Sequence, residues 1–342
     1  MRILVTGGAG YIGSHCAKAL AREGYEPVVL DNLSGGHRWA VKWGPLVVGD
    51  LADSELVKRV IEQYSIEAVM HFAASLLVSE SMQDPRKYFW NNVVNTLRLL
   101  DVMLDTGVKH LVFSSSAATY GDPQIVPIPE SHPTLPVNPY GETKLCMERA
   151  MKWYGVAFGL RWMALRYFNA SGADPEAGIG EQHHPETHLI PLVIEAALGR
   201  RPAVQVYGTD YPTPDGTAIR DYIHVSDLAE AHVRALRHLL EGGESGALNL
   251  GTGEGSSVRA IIHAVGKLCD GRVPFRDEPR RAGDPPVLVA DPSKARKLLN
   301  WEPKNSGLDA IVSSAWKWHA SQPRSGDPEI GRSGDRENRA NT

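Results

Sequence analysis

The first 170 residues alternate between two kinds of segment, and that alternation restricts the fold more than any other feature of the chain. Short runs rich in aliphatic and β-branched residues occur at 2–6 (RILVT), 27–31 (PVVLD), 46–50 (LVVGD), 68–74 (AVMHFAA), 110–116 (HLVFSSS) and 161–169 (RWMALRYFN). Helix-like stretches at 12–23, 53–64, 86–105 and 140–154 separate them. Strands that are apolar throughout are covered on both faces, and the intervening helices supply the covers. The pattern therefore predicts an α/β fold with a doubly wound parallel Rossmann sheet. The second half is rich in Pro and Gly at 171–186 and 208–217, with helical stretches at 226–241 and 257–269. We expect a first domain over 1–168 and a smaller C-terminal α/β substrate domain over 169–320, partly interleaved and returning a strand or two to the main sheet. The segment 321–342 has almost nothing to bury and is expected to be disordered.

The first strand runs into TGGAGYIG (6–13), where Gly7, Gly10 and Gly13 are spaced G-x-x-G-x-x-G. Residues without side chains let backbone approach a pyrophosphate, which then sits at a helix N-terminus. Asp31 ends the second run, 18 residues past Gly13. A carboxylate there accepts hydrogen bonds from ribose hydroxyls and repels a 2′-phosphate, which selects NAD over NADP. The competing role for Asp31 is to open the turn DNLSGG. Asp50, after the third run, is placed to meet the adenine or to cap the following helix.

Charge excludes several partner classes. Net charge is −4 with no basic run, so neither nucleic acid nor an anionic membrane is expected as a partner. Cys16, Cys146 and Cys269 are far apart and in no motif, which fits reduced thiols. No apolar run reaches membrane length and MRILVTG is already a strand entering a turn, so a cytoplasmic protein is expected.

NPYGETK (138–144) places Tyr140 and Lys144 one helical turn apart on one face. A free tyrosine titrates near pH ~10, and an ammonium about 4 Å away favours its ionised form by roughly 1–4 kcal/mol. With the second positive charge of a bound oxidised nicotinamide, the pair is expected to give a base poised near neutrality, with Ser116, at the end of the fifth strand, facing the same crevice.

TGGAGYIG, HFAAS, FSSSAATYGD, NPYGETK, RYFNASGA, GTAIRDYIHVSDLA and RRAGDPP occur in this order. Together they resemble an extended short-chain dehydrogenase/reductase, and more narrowly the UDP-glucose and other UDP-sugar 4-epimerases. The resemblance covers residues 1 to about 320. It implies that Tyr140 takes the proton of the sugar's 4-hydroxyl while hydride passes from carbon 4 to NAD, and that the keto sugar turns over and is reduced on its other face. Ser116, Tyr140 and Lys144 are the implied catalytic residues. Gly7, Gly10, Tyr11, Ile12, Gly13, Asp31, Asn32, Asp50 and Leu51 are implied to bind NAD. Phe72, Ala73, Ala74, Asn91, Ser114, Tyr167 and Phe168 are implied to bind it as well, with Tyr140 and Lys144. Ser116, Asn169, His188, Leu189, Gln205, Tyr207, Arg220, Tyr222, Arg281 and Asp284 are implied to bind the UDP-sugar, the two arginines at the diphosphate. For Arg220 the alternative is an ion pair with Asp221 or Asp227.

Ala117 and Ala118 stand where relatives that dehydrate or decarboxylate sugars carry acids, so elimination chemistry is not expected. Leu76, His188 and Leu288 depart from well-known members and leave open UDP-hexoses, N-acetylhexosamines and pentoses. HHPETH (183–188) carries three histidines and Glu186, but Pro185 prevents helical i, i+4 presentation and the family uses no metal, so none is expected. A homodimer through helices 86–105 and 140–154 is implied. The rival readings are a net nucleotide-sugar dehydrogenase or reductase and a dinucleotide sensor without chemistry.

Overall fold

The computed structural model describes residues 1–269, 271–281 and 283–322; from residue 323 on, the expected disordered tail lies outside the described residues. Seven strands form one all-parallel sheet: β1 (Arg2–Thr6), β2 (Glu26–Asp31), β3 (Leu46–Val48), β4 (Ala68–His71), β5 (His110–Ser116), β6 (Arg161–Tyr167) and β7 (Gly246–Leu250). Their spatial order is β7-β6-β5-β4-β1-β2-β3. The order reverses direction between β1 and β4, which opens a crevice at the C-terminal strand ends. β4 and most of β1, β2 and β5 are buried, the burial expected of apolar strands covered on both faces.

One face packs on helices Tyr11–Arg22 and Val225–Leu240, through Ile3, Val5, Leu20, Val29, Leu228 and Leu236. The other packs on Ser54–Gln63, Asn95–Asp105 and Pro139–Phe158, through Leu4, Val60, Leu100, Leu111, Met147 and Met151. A third cluster in the second half joins Leu189–Ala197, Val258–Gly266 and Leu308–Ser321. From that half, β7 returns to the edge of the sheet beside β6.

The expected helix over 86–105 is broken. Its chain runs as Pro85–Tyr88, then a wider π-type stretch Phe89–Val94, then Asn95–Asp105. In the wide stretch Asn92 is buried and reaches back to Ser75 and Thr143, so a side-chain network fixes this turn where periodicity predicted a regular helix. No helix of the described residues is long and apolar enough to cross a membrane.

Candidate active site

The glycine turn needs its glycines for space. Gly7 has φ +70°, and a Cβ there would lie 2.5 Å from the Ala73 nitrogen; on Gly13 it would lie 2.3 Å from the Gly7 oxygen. The turn therefore packs against Phe72–Ala73 at the end of β4. Gly10 caps the helix Tyr11–Arg22 without any side-chain bond, and no acid occupies the first turn, so the helix's positive end is uncompensated. That cradle fits a dinucleotide pyrophosphate. The Tyr11 hydroxyl faces the other way and donates to the Gly172 carbonyl at 2.6 Å.

Asp31 ends β2 only 8% exposed, and it fills the turn role weighed for it. Its Oδ2 accepts from the Ala9 N–H at 2.9 Å and its Oδ1 from Leu33 at 2.8 Å, so it does shape the turn. A carboxylate with about four acceptor positions keeps capacity for ribose hydroxyls. Burial raises its pKa, against the two backbone hydrogen bonds. Asn32 donates to Asp50 at 2.7 Å. Asp50 is not the helix cap: Asp53 accepts from Leu56 at 2.9 Å and takes that role, while Asp50 holds the Ala52 N–H. Leu51 is buried beside them. Asn91 donates to the Ser75 hydroxyl at 3.3 Å, just beyond Ala73–Ala74.

The helix Pro139–Phe158 begins where a helix should, with Pro at its first position, Asn138 accepting from Gly141 at 2.8 Å, and Glu142 in the first turn. It carries Tyr140 and Lys144 to the C-terminal end of β5. There Ser116 caps a short turn, accepting from the Ala118 N–H at 3.1 Å, and hydrogen-bonds the Tyr140 hydroxyl. Lys144 is 3% exposed, donates to the Ser114 carbonyl at 2.7 Å and lies 4.9 Å from the Phe113 ring centre.

Among the protein's own groups, burial raises the Tyr140 pKa above its ordinary value, with the Ser116 hydrogen bond only partly offsetting it. Lys144 is not among the groups that lower it. Its Nζ is tied to a carbonyl, 5.8 Å from the phenol ring centre, and burial lowers its own pKa to about 7 against the raising effect of Glu148. Nearby Tyr167 is buried with its hydroxyl bonded to that of Ser114, and Phe168 follows as the strand ends.

The substrate-side residues form a second group. Arg220 pairs with Asp284, itself a predicted site residue, and with neither acid proposed as its alternative partner. Asp221 is occupied by the backbone of Thr252, Gly253 and Ala290, and Asp227 by Asn305 and Ser306. The Arg281 guanidinium lies 4.0 Å over the Tyr207 ring centre, and Tyr207 donates to Gln205. The two groups are linked through the chain. β6 leads through Phe168 into Asn169, whose short strand pairs with Tyr222–His224, two residues beyond Arg220. Leu189 opens the helix Leu189–Ala197, and Leu288 pairs in register with Arg220. Leu76 is 41% exposed.

His188 sits in different company. Burial lowers its pKa, but Glu181 and Glu186 outweigh that and raise it to about 10, with Nδ1 2.9 Å and 3.0 Å from their oxygens. Pro185 does keep HHPETH out of a helix. The loop nevertheless gathers side chains of metal-ligand type.

A buried network was not foreseen. Glu148 accepts from Arg166 at 2.9 and 2.5 Å and from the Ser115 hydroxyl at 2.5 Å, and Arg166 also donates to Tyr120 at 3.0 Å. Tyr140, Lys144 and Glu148 follow at i, i+4 and i+8, so helical spacing would have placed Glu148 on the same inward face. Beneath the turn, His71 bridges the Thr6 and Thr96 hydroxyls at 2.6 and 2.8 Å. A cavity of about 550 Å³ lined by Arg2, Tyr25, Glu26 and Trp43 lies by the N-terminal ends of β1 and β2 and holds none of these groups.

The family described as NAD dependent epimerase/dehydratase matches residues 3–251. The UDP-glucose 4-epimerase of Rhizobium meliloti (strain 1021) is 54% identical over 324 residues, spanning 95% of this chain and 98% of that protein. The crystal structure of UDP-glucose 4-epimerase from Brucella ovis in complex with NAD superposes with a TM-score of 0.90 at 54% identity, covering 92% of this chain and 97% of its own. The UDP-Glc/GlcNAc 4-epimerase from Campylobacter jejuni superposes with a TM-score of 0.82 at 43% identity, covering 93% and 99%. The chain belongs to the NAD dependent epimerase/dehydratase family and, within it, to the UDP-glucose 4-epimerases.

Proposed function

We propose that this chain interconverts UDP-glucose and UDP-galactose as an NAD-dependent isomerase. The observation that carries the reading is the Ser116–Tyr140–Lys144 group at the C-terminal end of β5, with Lys144 buried and the two hydroxyls half-buried, beside an uncapped helix N-terminus suited to a dinucleotide. NAD supplies reversible oxidation at sugar carbon 4. The turn 7–13 would hold its pyrophosphate and Asp31 its adenosine ribose. Tyr140 removes the proton of the 4-hydroxyl and returns it to the same oxygen once the other face has been reduced, so the proton account closes on one side chain. Ser116 orients that hydroxyl through its bond to Tyr140. Arg220, paired with Asp284, and Arg281, stacked on Tyr207, would hold the UDP diphosphate. Ala117 and Ala118 offer no acid for elimination.

The test is incubation of the purified protein with UDP-glucose and separation of the products. Conversion toward a mixture of 4-epimers is expected, with reduced nicotinamide limited to about one equivalent per site because each cycle restores NAD. Free NADH rising in proportion to consumed sugar would identify a net dehydrogenase instead. Tyr140→Phe is expected to lower turnover roughly 10²–10⁴-fold with the circular-dichroism spectrum unchanged. Near-normal turnover would remove Tyr140 from its role.

Leu288 supports a wider sugar range, since it stands beside Arg220 where a tyrosine narrows the pocket of other members. UDP-N-acetylglucosamine belongs in the same incubation, and its strict rejection counts against this reading. A homodimer and a cytoplasmic location complete the proposal. Phe89, Trp90, Trp153, Val156 and Phe158 are exposed on the two helices expected to meet a partner, with Trp153 65% and Val156 72% accessible. Sedimentation equilibrium is expected to give twice the chain mass; a monomer at micromolar concentration contradicts it.

A further inference from the structure

The loop from the short strand Ile179–Gly180 to the helix Leu189–Ala197 turns Glu181, His183, Glu186 and His188 toward one point. One ligand atom from each lies within 4.8 Å of all the others. The four nitrogen-to-oxygen separations are 2.9 Å and 3.0 Å from His188 Nδ1, and 3.4 Å and 3.5 Å from His183 Nδ1, to Glu181 and Glu186. A tetrahedral zinc centre with bonds of about 2.0–2.1 Å has ligand-to-ligand edges of about 3.3 Å. With Glu186 Oε2 as its ligand atom, the separations of 2.9, 3.4 and 3.5 Å lie around that value, while the 3.0 Å contact of His188 is to the other carboxylate oxygen, Oε1. Two imidazoles and two carboxylates are also a donor set that first-row divalent cations accept.

Three further features point the same way. His183 Nδ1 is buried and has no hydrogen-bond partner, its contacts to the two carboxylates being of ion-pair kind only. Glu186 has Oε1 held by the backbone N–H groups of Thr187 at 2.7 Å and His188 at 2.8 Å, which leaves Oε2 directed at His183. The backbone that carries the ligands is itself pinned: Trp318 Nε1 donates to the Glu181 carbonyl at 2.9 Å, and the His37 ring bonds the Gln182 carbonyl at 3.1 Å. Outer contacts of this kind orient ligands before a cation arrives.

We propose that Glu181, His183, Glu186 and His188 form a structural site for a divalent cation of the zinc class. The cation ties the loop to His188, the residue that precedes the helix Leu189–Ala197, and so steadies the start of that helix. It takes no part in the chemistry at Tyr140, and the proposal does not depend on the sugar assigned above. The rival account of the same atoms is a pair of imidazolium–carboxylate ion pairs with no metal.

The experiment uses the full chain, untagged and purified without metal-affinity steps. Elemental analysis is expected to find about one zinc per chain, retained after gel filtration. After treatment with chelator, addition of Co²⁺ is expected to produce the visible absorption of a tetrahedral centre at one equivalent, and Zn²⁺ to abolish it and raise the unfolding temperature. His183→Ala and Glu186→Gln are each expected to lose the Co²⁺ spectrum and the Zn²⁺-dependent shift, and His183→Cys to regain them. The circular-dichroism spectrum of each variant confirms that it is folded. Absence of bound zinc together with no Co²⁺ spectrum in the native chain overturns the proposal in favour of the ion pairs. A Co²⁺ spectrum that survives in folded His183→Ala and Glu186→Gln overturns it too, because the metal then binds elsewhere.

Discussion

Lys144 lies one helical turn past Tyr140, yet the ammonium is anchored on the Ser114 carbonyl and not at the phenol oxygen. Spacing fixed the shared face, but burial set the energetics: it pushes the tyrosine up and the lysine down to about 7. A cation near the phenol favours the phenolate, so removing it raises the phenol's pKa further. Lys144→Met is expected to move the acidic limb of log kcat/KM to higher pH and to lower the rate at neutral pH. An unmoved limb with an unchanged rate would show that the ammonium does not act on Tyr140. Asp31 takes the turn role and keeps acceptors for a ribose, since two backbone N–H groups use only part of its capacity.

The helix Pro139–Phe158 is the element that builds the catalytic group, and its start is written locally in Asn138, Pro139 and Glu142. Its position is not. Gly141 packs so closely on the turn after Ser116 that a Cβ would lie 2.4 Å from the Ala118 carbonyl oxygen, a backbone atom that cannot swing aside. Gly141→Ala is expected to lower stability by roughly 1–3 kcal/mol and to reduce kcat by separating Tyr140 from Ser116. Denaturant unfolding and steady-state kinetics measure both, and wild-type values in both would refute the close contact. Elsewhere periodicity succeeded or failed for identifiable reasons. Amphipathic helices such as Val225–Leu240 were legible. Leu189–Ala197 (LIPLVIEAA) was missed because it is apolar nearly all round, carries Pro191 in its first turn, and so lacks a polar face to mark a helical period. The run 86–105 kept its helical character but not its regularity, because Asn92 spends its hydrogen bonds on Ser75 and Thr143.

Across the whole molecule, buried histidines bear on the acid limit, three of them with the largest shifts. Burial lowers the pKa of His15 to about 4, His71 to about 3 and His232 to about 4. In the unfolded chain each titrates near ~6.5, so below that pH the unfolded state binds more protons. Stability from these groups is complete above about 6.5 and is lost as pH falls toward their folded values, with a limiting slope of ~4 kcal/mol per pH unit for three protons. Urea unfolding between pH 8 and 4 is expected to show this fall, and His232→Gln to reduce the slope by about one proton; an unchanged slope would locate the sensitivity elsewhere. The sequence by itself determined what depends on neighbours along the chain: the doubly wound alternation, the glycine turn with Asp31, and Tyr140 and Lys144 on one helical face. These are legible because a strand's burial, a turn's φ angles and a helix's pitch are local properties. Tertiary structure alone decided that Arg220 meets Asp284 across 64 residues, that Glu148 meets Arg166 under the catalytic helix, and that His183 and His188 close on Glu181 and Glu186. Buried polar groups must find partners wherever the packing brings them, and no period in the chain records which ones those are.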